Sequence, residues 1–433
     1  MLTARSTLDA KAVAAPPGVL ADARAPEVTR SEALSRLAPL AVGVAVALLP
    51  LLRPVGPGNS APVDIAIIFA IGVTFLAVIA SRLPIRLPYV VPVGLLVIGG
   101  AIGALLHEPT TAAALALAQD VLLFLFGAAI VNACRTPREI GAVLRTWSLS
   151  ATVWAALLVV AVVIGDQGLA GITARTGSRA ALTFGDANLA ASYFVISFLV
   201  VAAARTPRRR VMRVGAYAVL GTAILLTGSL GGMLSLAVAL ALLAVRAVVR
   251  RFGAMAAVAI VLLVGPVVFV GVRGAYDALT AAAQDPNSML HDSFGRVTAS
   301  SEGHDQILGE DLHLLGSASL FGEGPTSTKG VLAREQVIYV KEAHNDYLAT
   351  ALERGALGMI AIVVLVGAIV MRSRQALARG HEPAMALAVP GLPALLAALV
   401  AVACTGMFYE VLHFRQVWAL FGVVAAIALA REP

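Results

Sequence analysis

The feature that most limits what this chain can become is a series of long apolar runs separated by short segments that are alternately rich and poor in arginine. Runs of about 17 to 25 mostly apolar residues match the roughly 30 Å hydrocarbon core of a bilayer when coiled as helices. Lipid offers backbone amides no partner, so a crossing segment must satisfy them itself, as a helix or in a closed barrel. These runs show no period-two alternation, which excludes the barrel. With 59% hydrophobic and 13% charged residues and a mean hydropathy of +0.89, the chain is too apolar for an ordinary soluble domain. An all-α integral membrane fold follows.

Twelve such runs are found, at 37–52, 63–81, 87–106, 112–134, 147–164, 187–204, 214–230, 231–248, 253–272, 346–371, 384–404 and 416–430. They divide the chain into a disordered tail over 1–36, transmembrane helices 1–9 over 37–272, a polar loop over 273–345, and helices 10–12 with the C-terminus over 346–433. Lysine and arginine are held on the cytoplasmic side during insertion. Starting inside places most of the 32 basic residues there, in clusters such as Arg82 and Arg86, Arg135 to Arg145, Arg205 to Arg213, and Arg372 to Arg379. The expected protein is therefore multi-pass in the plasma (inner) membrane, with both termini cytoplasmic and the long loop between helices 9 and 10 extracytoplasmic.

Basic inner turns beside anionic lipid account for the net charge of +7, so it implies membrane lipids as neighbours and no nucleic acid. Cys134 and Cys404 fall near opposite membrane faces and cannot bridge. No zinc-ligand spacing and no phosphate-binding glycine loop is present, and no metal or other cofactor is expected.

Polar chemistry collects in 273–345, which holds four of the seven histidines. A loop of that length inside a compact protein is usually functional. Its acids outnumber its bases two to one, so an anion there must be held by particular residues. The loop ends in His344-Asn345-Asp346-Tyr347-Leu348 and runs directly into helix 10. This places His344 at a helix N-terminus, where free amides attract anions and where Asn345 or Asp346 can cap. A histidine so placed can take a proton from a hydroxyl near neutral pH. Asp120 lies inside the fourth run, where an ionisable group is functional or paired. Glu410, His413 and Arg415 cluster in the last outer loop and read as a local ion pair. The histidines at 291, 304 and 313 match no compact metal motif.

The stretch "HNDYLATALERGALGMIAIVVLVGAI" resembles the signature helix of the O-antigen ligase and O-antigen polymerase superfamily, in which His-Asn-x-Tyr-Leu is followed by Glu-x-Gly and a glycine-rich apolar run. Three further stretches fall in the family's order: "FGDANLAASYF" at 184–194, containing Asn188, "TGSLGGMLSLAVALALL" from 227, and "LFGEGPTS" at 320–327. One position departs. Where the family usually carries arginine in Ser-Arg-Gly, this chain has Ser229-Leu230-Gly231.

The resemblance implies a metal-independent transferase that takes a glycan from a polyprenyl-pyrophosphate carrier and passes it to an acceptor hydroxyl on a glycan or lipid. Under that reading His344 is the general base. Arg296, Lys341 and Arg415 are candidates for the charge missing at Leu230, and Asn188, Asn345 and Tyr347 line the substrate. A pyrophosphate leaving group needs cations or helix amides, and a guanidinium forks onto two phosphate oxygens. A secondary transporter is the main rival, but such proteins usually show two similar halves, and none are apparent here. A peptidoglycan polymerase of the SEDS class shares the architecture without the His-Asn-x-Tyr-Leu helix.

Overall fold

The computed structural model of the chain describes residues 30–56, 60–107, 110–173, 179–282, 319–328 and 345–431, and no strand occurs among them. The principal helices are α1 (Arg30–Ala47), α2 (Pro62–Ala80), α3 (Val90–His107), α4 (Thr111–Ala133), α5 (Pro137–Val163), α6 (Ala187–Ala204), α7 (Arg210–Leu226), α8 (Leu230–Ala282), α9 (Asp346–Arg379), α10 (Pro383–Ala388), α11 (Leu392–Thr405) and α12 (Arg415–Ala428). Seven of the described helices are long and apolar enough to cross a membrane: α2 to α6, the first part of α8, and α9.

Helix boundaries depart from the apolar runs where local chemistry, rather than hydropathy, sets them. α5 begins at Pro137, ten residues before the expected start at 147, because Thr136 and Glu139 form a capping box around its first turn. There the Glu139 carboxylate accepts the Thr136 amide at 2.8 Å, and proline at the first helical position has no amide to leave unpaired. α1 already begins at Arg30, inside the segment expected to be a disordered tail. The eighth and ninth runs lie within α8, interrupted at Gly253 (φ 85°, ψ 168°), and α8 continues to Ala282, past residue 273 where the outer loop was expected to begin.

The core is built around α6 and α12. Every residue of α12 is buried, as expected of a helix that is apolar all round. It crosses α4 closely because both helices present glycine: a methyl group added at Gly422 would lie 2.8 Å from the Gly127 carbonyl oxygen. Small residues at such a crossing maximise van der Waals contact, which drives helix association in lipid, where burial of apolar surface gains little. On α5 the buried Trp147 indole donates to the Ser197 hydroxyl of α6 at 2.9 Å.

At the end of the bundle that carries the arginine-rich turns, the turns are tied together by guanidinium groups donating to backbone. Arg135 donates to the Pro84 carbonyl at 2.9 Å and the Asn132 side-chain oxygen at 2.8 Å, and Arg86 donates to the Leu429 carbonyl at 2.7 Å. Asn132 closes the knot by donating to the Arg86 carbonyl at 2.7 Å and accepting the Arg86 amide at 3.0 Å. The two cysteines are free.

Candidate functional site

The opposite end of the bundle is organised by the loop 406–414 between α11 and α12. Asp346, the first residue of α9, is buried and receives this loop: its carboxylate accepts the Val411 amide at 2.8 Å and the Leu412 amide at 3.3 Å, and its own amide donates to the Gly406 carbonyl at 2.9 Å. Asn345 is the N-cap of α9, its side-chain oxygen accepting the Tyr347 amide at 2.9 Å and the Leu348 amide at 3.2 Å while its amide group donates to the Met407 carbonyl at 3.2 Å. Tyr347 is half-buried, and its hydroxyl donates to the Ala403 carbonyl at 3.1 Å. The sequence assigned capping to either Asn345 or Asp346. In the fold Asn345 caps, and Asp346 is left to hold the loop.

Arg415 opens α12 and forks onto Asp64 of α2, with Nε to Oδ1 at 2.6 Å and Nη2 to Oδ2 at 2.5 Å, both side chains being buried. The partner of Arg415 is therefore on a different helix, not within the Glu410–His413 cluster proposed from sequence. Asp64 also accepts the Ala61 amide at 2.8 Å as part of the cap of α2, so one carboxylate fixes two helix starts. Burial, and then the Arg415 charge, pull the His413 imidazole down to about 4. The His413 carbonyl accepts the Gln119 side-chain amide at 3.4 Å.

A second cluster lies beside this loop. Asp186 caps α6 by accepting the Asn188 and Leu189 amides at 2.8 and 3.0 Å. The Asn188 side-chain oxygen then accepts two donors, Arg179 Nη2 at 2.7 Å and the Ser229 hydroxyl at 2.9 Å. Arg179 Nε donates to the Thr227 carbonyl at 2.8 Å. The Asn188 and Ser229 segments, 41 residues apart in sequence, thus meet in one knot, and a half-buried arginine sits in it one residue from Leu230. Gly231 connects this knot to the loop, since a methyl group there would lie 3.7 Å from Phe408 Cβ. Arg53 lies across Gly185, where a methyl group would come within 2.8 Å of its Nε, and Arg53 is exposed and in no ion pair among the described residues.

The third element is a break in α9 at Gly355 (φ 59°, ψ −153°). The break frees carbonyls that an unbroken helix would use, and the segment 319–328 satisfies them: the Glu323 amide donates to Leu352 O at 2.8 Å, the Gly324 amide to Glu353 O at 2.9 Å, and the Ala356 amide returns to Leu320 O at 2.9 Å. Gly322 must be glycine here, because its φ is 78° and a methyl group would lie 2.5 Å from the Gly355 nitrogen. Thr328 donates to the Glu353 carboxylate at 3.0 Å. Arg354 pairs with Asp120 of α4 at 2.6 Å, giving Asp120 the neighbour that an ionisable group inside an apolar run needs. The turn "LFGEGPTS" and the helix that follows "HND" are one physical unit.

Of the residues singled out from sequence, Asn188, Asn345, Tyr347 and Arg415 are placed at this end, while His344, Arg296 and Lys341 lie outside the described residues. Sequence reading missed Arg179, Arg53, Asp64 and Arg354. Arg179 carried one available signal: it is a basic residue in an outer segment, nine positions before Asn188, against the prevailing charge asymmetry.

Fold and site together define a polytopic helical membrane protein with a polar, arginine-bearing end opposite its basic turns. Residues 215–363, about a third of the chain, match the family model described as O-antigen ligase, to which this part of the chain is similar. The match takes in Ser229 and Leu230, the 319–328 turn, and the first half of α9. A search of curated proteins finds no match.

Proposed function

We propose that this protein transfers a glycan, without a metal ion, from a polyprenyl-pyrophosphate carrier to an acceptor hydroxyl at the extracytoplasmic face of the plasma membrane, with twelve crossings and both termini in the cytoplasm. In the reaction the bond from the anomeric carbon to the pyrophosphate oxygen breaks and a bond to the acceptor oxygen forms. The acceptor proton passes to His344, and the pyrophosphate leaves on its lipid carrier.

The observation that carries this reading is the knot of Arg179, Asn188 and Ser229 beside Leu230. The family's usual arginine is absent from position 230, and a guanidinium from the segment before α6 lies against the Thr227 carbonyl and against Asn188, the partner of Ser229. Its Nε and one Nη are held by protein acceptors, which pre-orients the group, and an aimed cation stabilises developing charge better than a free one. Arg53, across Gly185, adds a second positive charge, and Arg296 and Lys341 of the polar segment are further donors to the same anion. Asn345 and Tyr347 shape the substrate side of α9. Arg415, engaged by Asp64, contributes by fixing the loop 406–414.

The test is transfer by the purified protein in lipid nanodiscs, with a defined polyprenyl-pyrophosphate glycan as donor. Arg179→Ala should cost about a hundredfold to a thousandfold in rate, the scale of losing one aimed charge-stabilising donor. Arg179→Lys should also be impaired, because an ammonium lacks the planar fork. Adding Leu230→Arg to Arg179→Ala should restore part of the rate. Full activity in Arg179→Ala would remove the cation assignment. Substrate uptake into proteoliposomes with no glycan transfer would replace the transferase by a transporter. Mass spectrometry of carrier-linked glycans after deletion separates the two transferase types: accumulated single repeats indicate a polymerase, accumulated finished chains a ligase.

A further inference from the structure

A groove of about 1550 Å³ opens at the basic end of the bundle, on the side away from the site described above, between α1, α5 and α10. Its mouth is lined by Arg36 of α1, Arg138 and Arg145 of α5, and Arg208 of the turn before α7. All four are exposed, and none is ion-paired among the described residues. Of the two acids in the lining, Glu139 is engaged by the amides of Arg135 and Thr136 at the start of α5, and Glu32 also has a partner. With four guanidinium groups against two carboxylates, the mouth keeps a net charge of +2.

Apart from the hydroxyls of Ser31, Ser35, Ser81, Thr136 and Thr146, the rest of the lining is apolar. Leu40, Gly43, Val44 and Ala47 follow Arg36 on one face of α1, and Val143 and Ala142 face them from α5. Gly43 leaves the groove open, since a methyl group there would have nothing nearer than Thr146 at 3.9 Å. From Arg36 to Ala47 is eleven residues, about 16 Å at 1.5 Å per residue, close to one leaflet's share of a roughly 30 Å core. The inner end is closed where the free Ala47 carbonyl accepts the Ser150 hydroxyl at 2.7 Å and the Trp154 indole at 3.0 Å.

We infer that this groove is a binding site for an anionic phospholipid, the phosphate held among Arg36, Arg138, Arg145 and Arg208 and one acyl chain lying along Leu40, Val44 and Ala47. Charge complementarity selects the headgroup, because a zwitterionic lipid brings a cation of its own to a mouth whose net charge is already positive. The length and apolarity of the channel select an acyl chain over a free phosphate ion. The site is distinct from the proposed transfer site and does not depend on it.

The experiment uses the full chain purified in detergent, with binding read by native mass spectrometry and by the shift of Tm on titration. The probes are phosphatidylglycerol, phosphatidylcholine and glycerol 1-phosphate. Phosphatidylglycerol should raise Tm saturably, and the other two should not. Arg36→Gln/Arg138→Gln/Arg145→Gln should weaken phosphatidylglycerol about a hundredfold, as expected if each basic residue contributes about a factor of five. Arg246→Gln/Arg250→Gln/Arg251→Gln, three arginines of α8 outside the groove, should leave it unchanged. Gly43→Trp keeps every charge and blocks the channel, so it should abolish the shift. Equal loss in the two triple variants would mean general surface attraction and overturn the site. Retained binding in Gly43→Trp, or equal stabilisation by phosphatidylcholine, would overturn it as well, and a response to glycerol 1-phosphate would reassign the arginines to a free phosphate.

Discussion

Arginine is put to different use at the two ends of this bundle. At the basic end Arg86 and Arg135 donate to carbonyls of Leu429, Pro84 and Asn132, and neither forms a side-chain ion pair among the described residues, although the nearby Glu139 carboxylate favours the charge on Arg135. Burial, then the mutual repulsion of Arg86, Arg135 and Arg431, pushes the Arg135 guanidinium down to about 10, still charged at neutral pH. At the opposite end Arg354 and Arg415 each meet an aspartate from another helix, Asp120 and Asp64. The difference lies in the partner and not in burial: Arg135 is as buried as Arg415 but is met by carbonyl and amide oxygens, with one Nη left without a partner, whereas Arg415 faces a carboxylate, without which its enclosed charge would be costly. The paired end also carries Arg179, bonded to Thr227 and Asn188, and Arg53, which is in no ion pair among the described residues.

That contrast breaks most visibly at the reacting residue. If the paired end carries the chemistry, His344→Ala should lower glycan transfer about a hundredfold to ten-thousandfold, the usual range for a lost general base, with unchanged abundance in the membrane. Transfer at the wild-type rate would leave the helix start with a capping role only.

The next largest effect separates pairing from donation to backbone. Asp64→Asn should destabilise the fold by about 3 to 5 kcal/mol, because it strands the buried Arg415 charge. The double variant Asp64→Leu/Arg415→Met should recover much of that loss. Arg135→Met, which strands no opposite charge, should cost about 1 to 3 kcal/mol. Thermal melting of the three proteins in one detergent decides it, and an Asp64→Asn protein as stable as wild type would show that the pair contributes nothing. If Arg415 contacts substrate, the double variant will be folded yet inactive.

A smaller effect is pH-dependent. Burial, and then the Arg415 charge, hold the His413 imidazole down at about 4, below its ordinary value of about 6.5, so between those values the unfolded chain binds a proton that the folded one excludes. Stability should therefore fall as pH drops from about 6.5 towards 4, with a slope of up to one proton. Denaturation midpoints at pH 7 and pH 5 should converge in His413→Asn, and an unchanged difference would assign the dependence elsewhere. The smallest effect belongs to His107 and Glu323, which touch at 3.3 Å but remain partly exposed. His107→Ala should change stability by no more than about 1 kcal/mol. A larger loss would mean that this contact, and not the backbone bonds to Leu352 and Glu353, holds the 319–328 turn.

Much of the architecture was legible in the chain itself. Unbroken apolar runs in a solvent without hydrogen-bond partners admit only helices, and most of each run is helical in the fold, although two runs share α8 and the run at 384–404 is divided between α10 and α11. The capping role at 345–346 was equally readable, since a short polar side chain before an apolar run has few other uses. Helix starts such as Pro137 and Arg30 escaped because hydropathy reports the part of a helix that meets lipid and is silent on the part that projects beyond it.

The pairings of Arg415 with Asp64, and of Arg354 with Asp120, join residues 351 and 234 positions apart. No local period or motif encodes such a partnership, because it depends on which helices pack side by side. The same holds for Arg179. In sequence the position next to Ser229 is simply leucine, and only folding of the segment before α6 against the turn before α8 brings a guanidinium to Thr227 and Asn188. Composition and periodicity determined that the chain is a helical membrane protein, because solvation of the backbone leaves no alternative. Tertiary packing decided which charges neutralise one another and which remain available for a ligand, because charge balance is settled by neighbours in space.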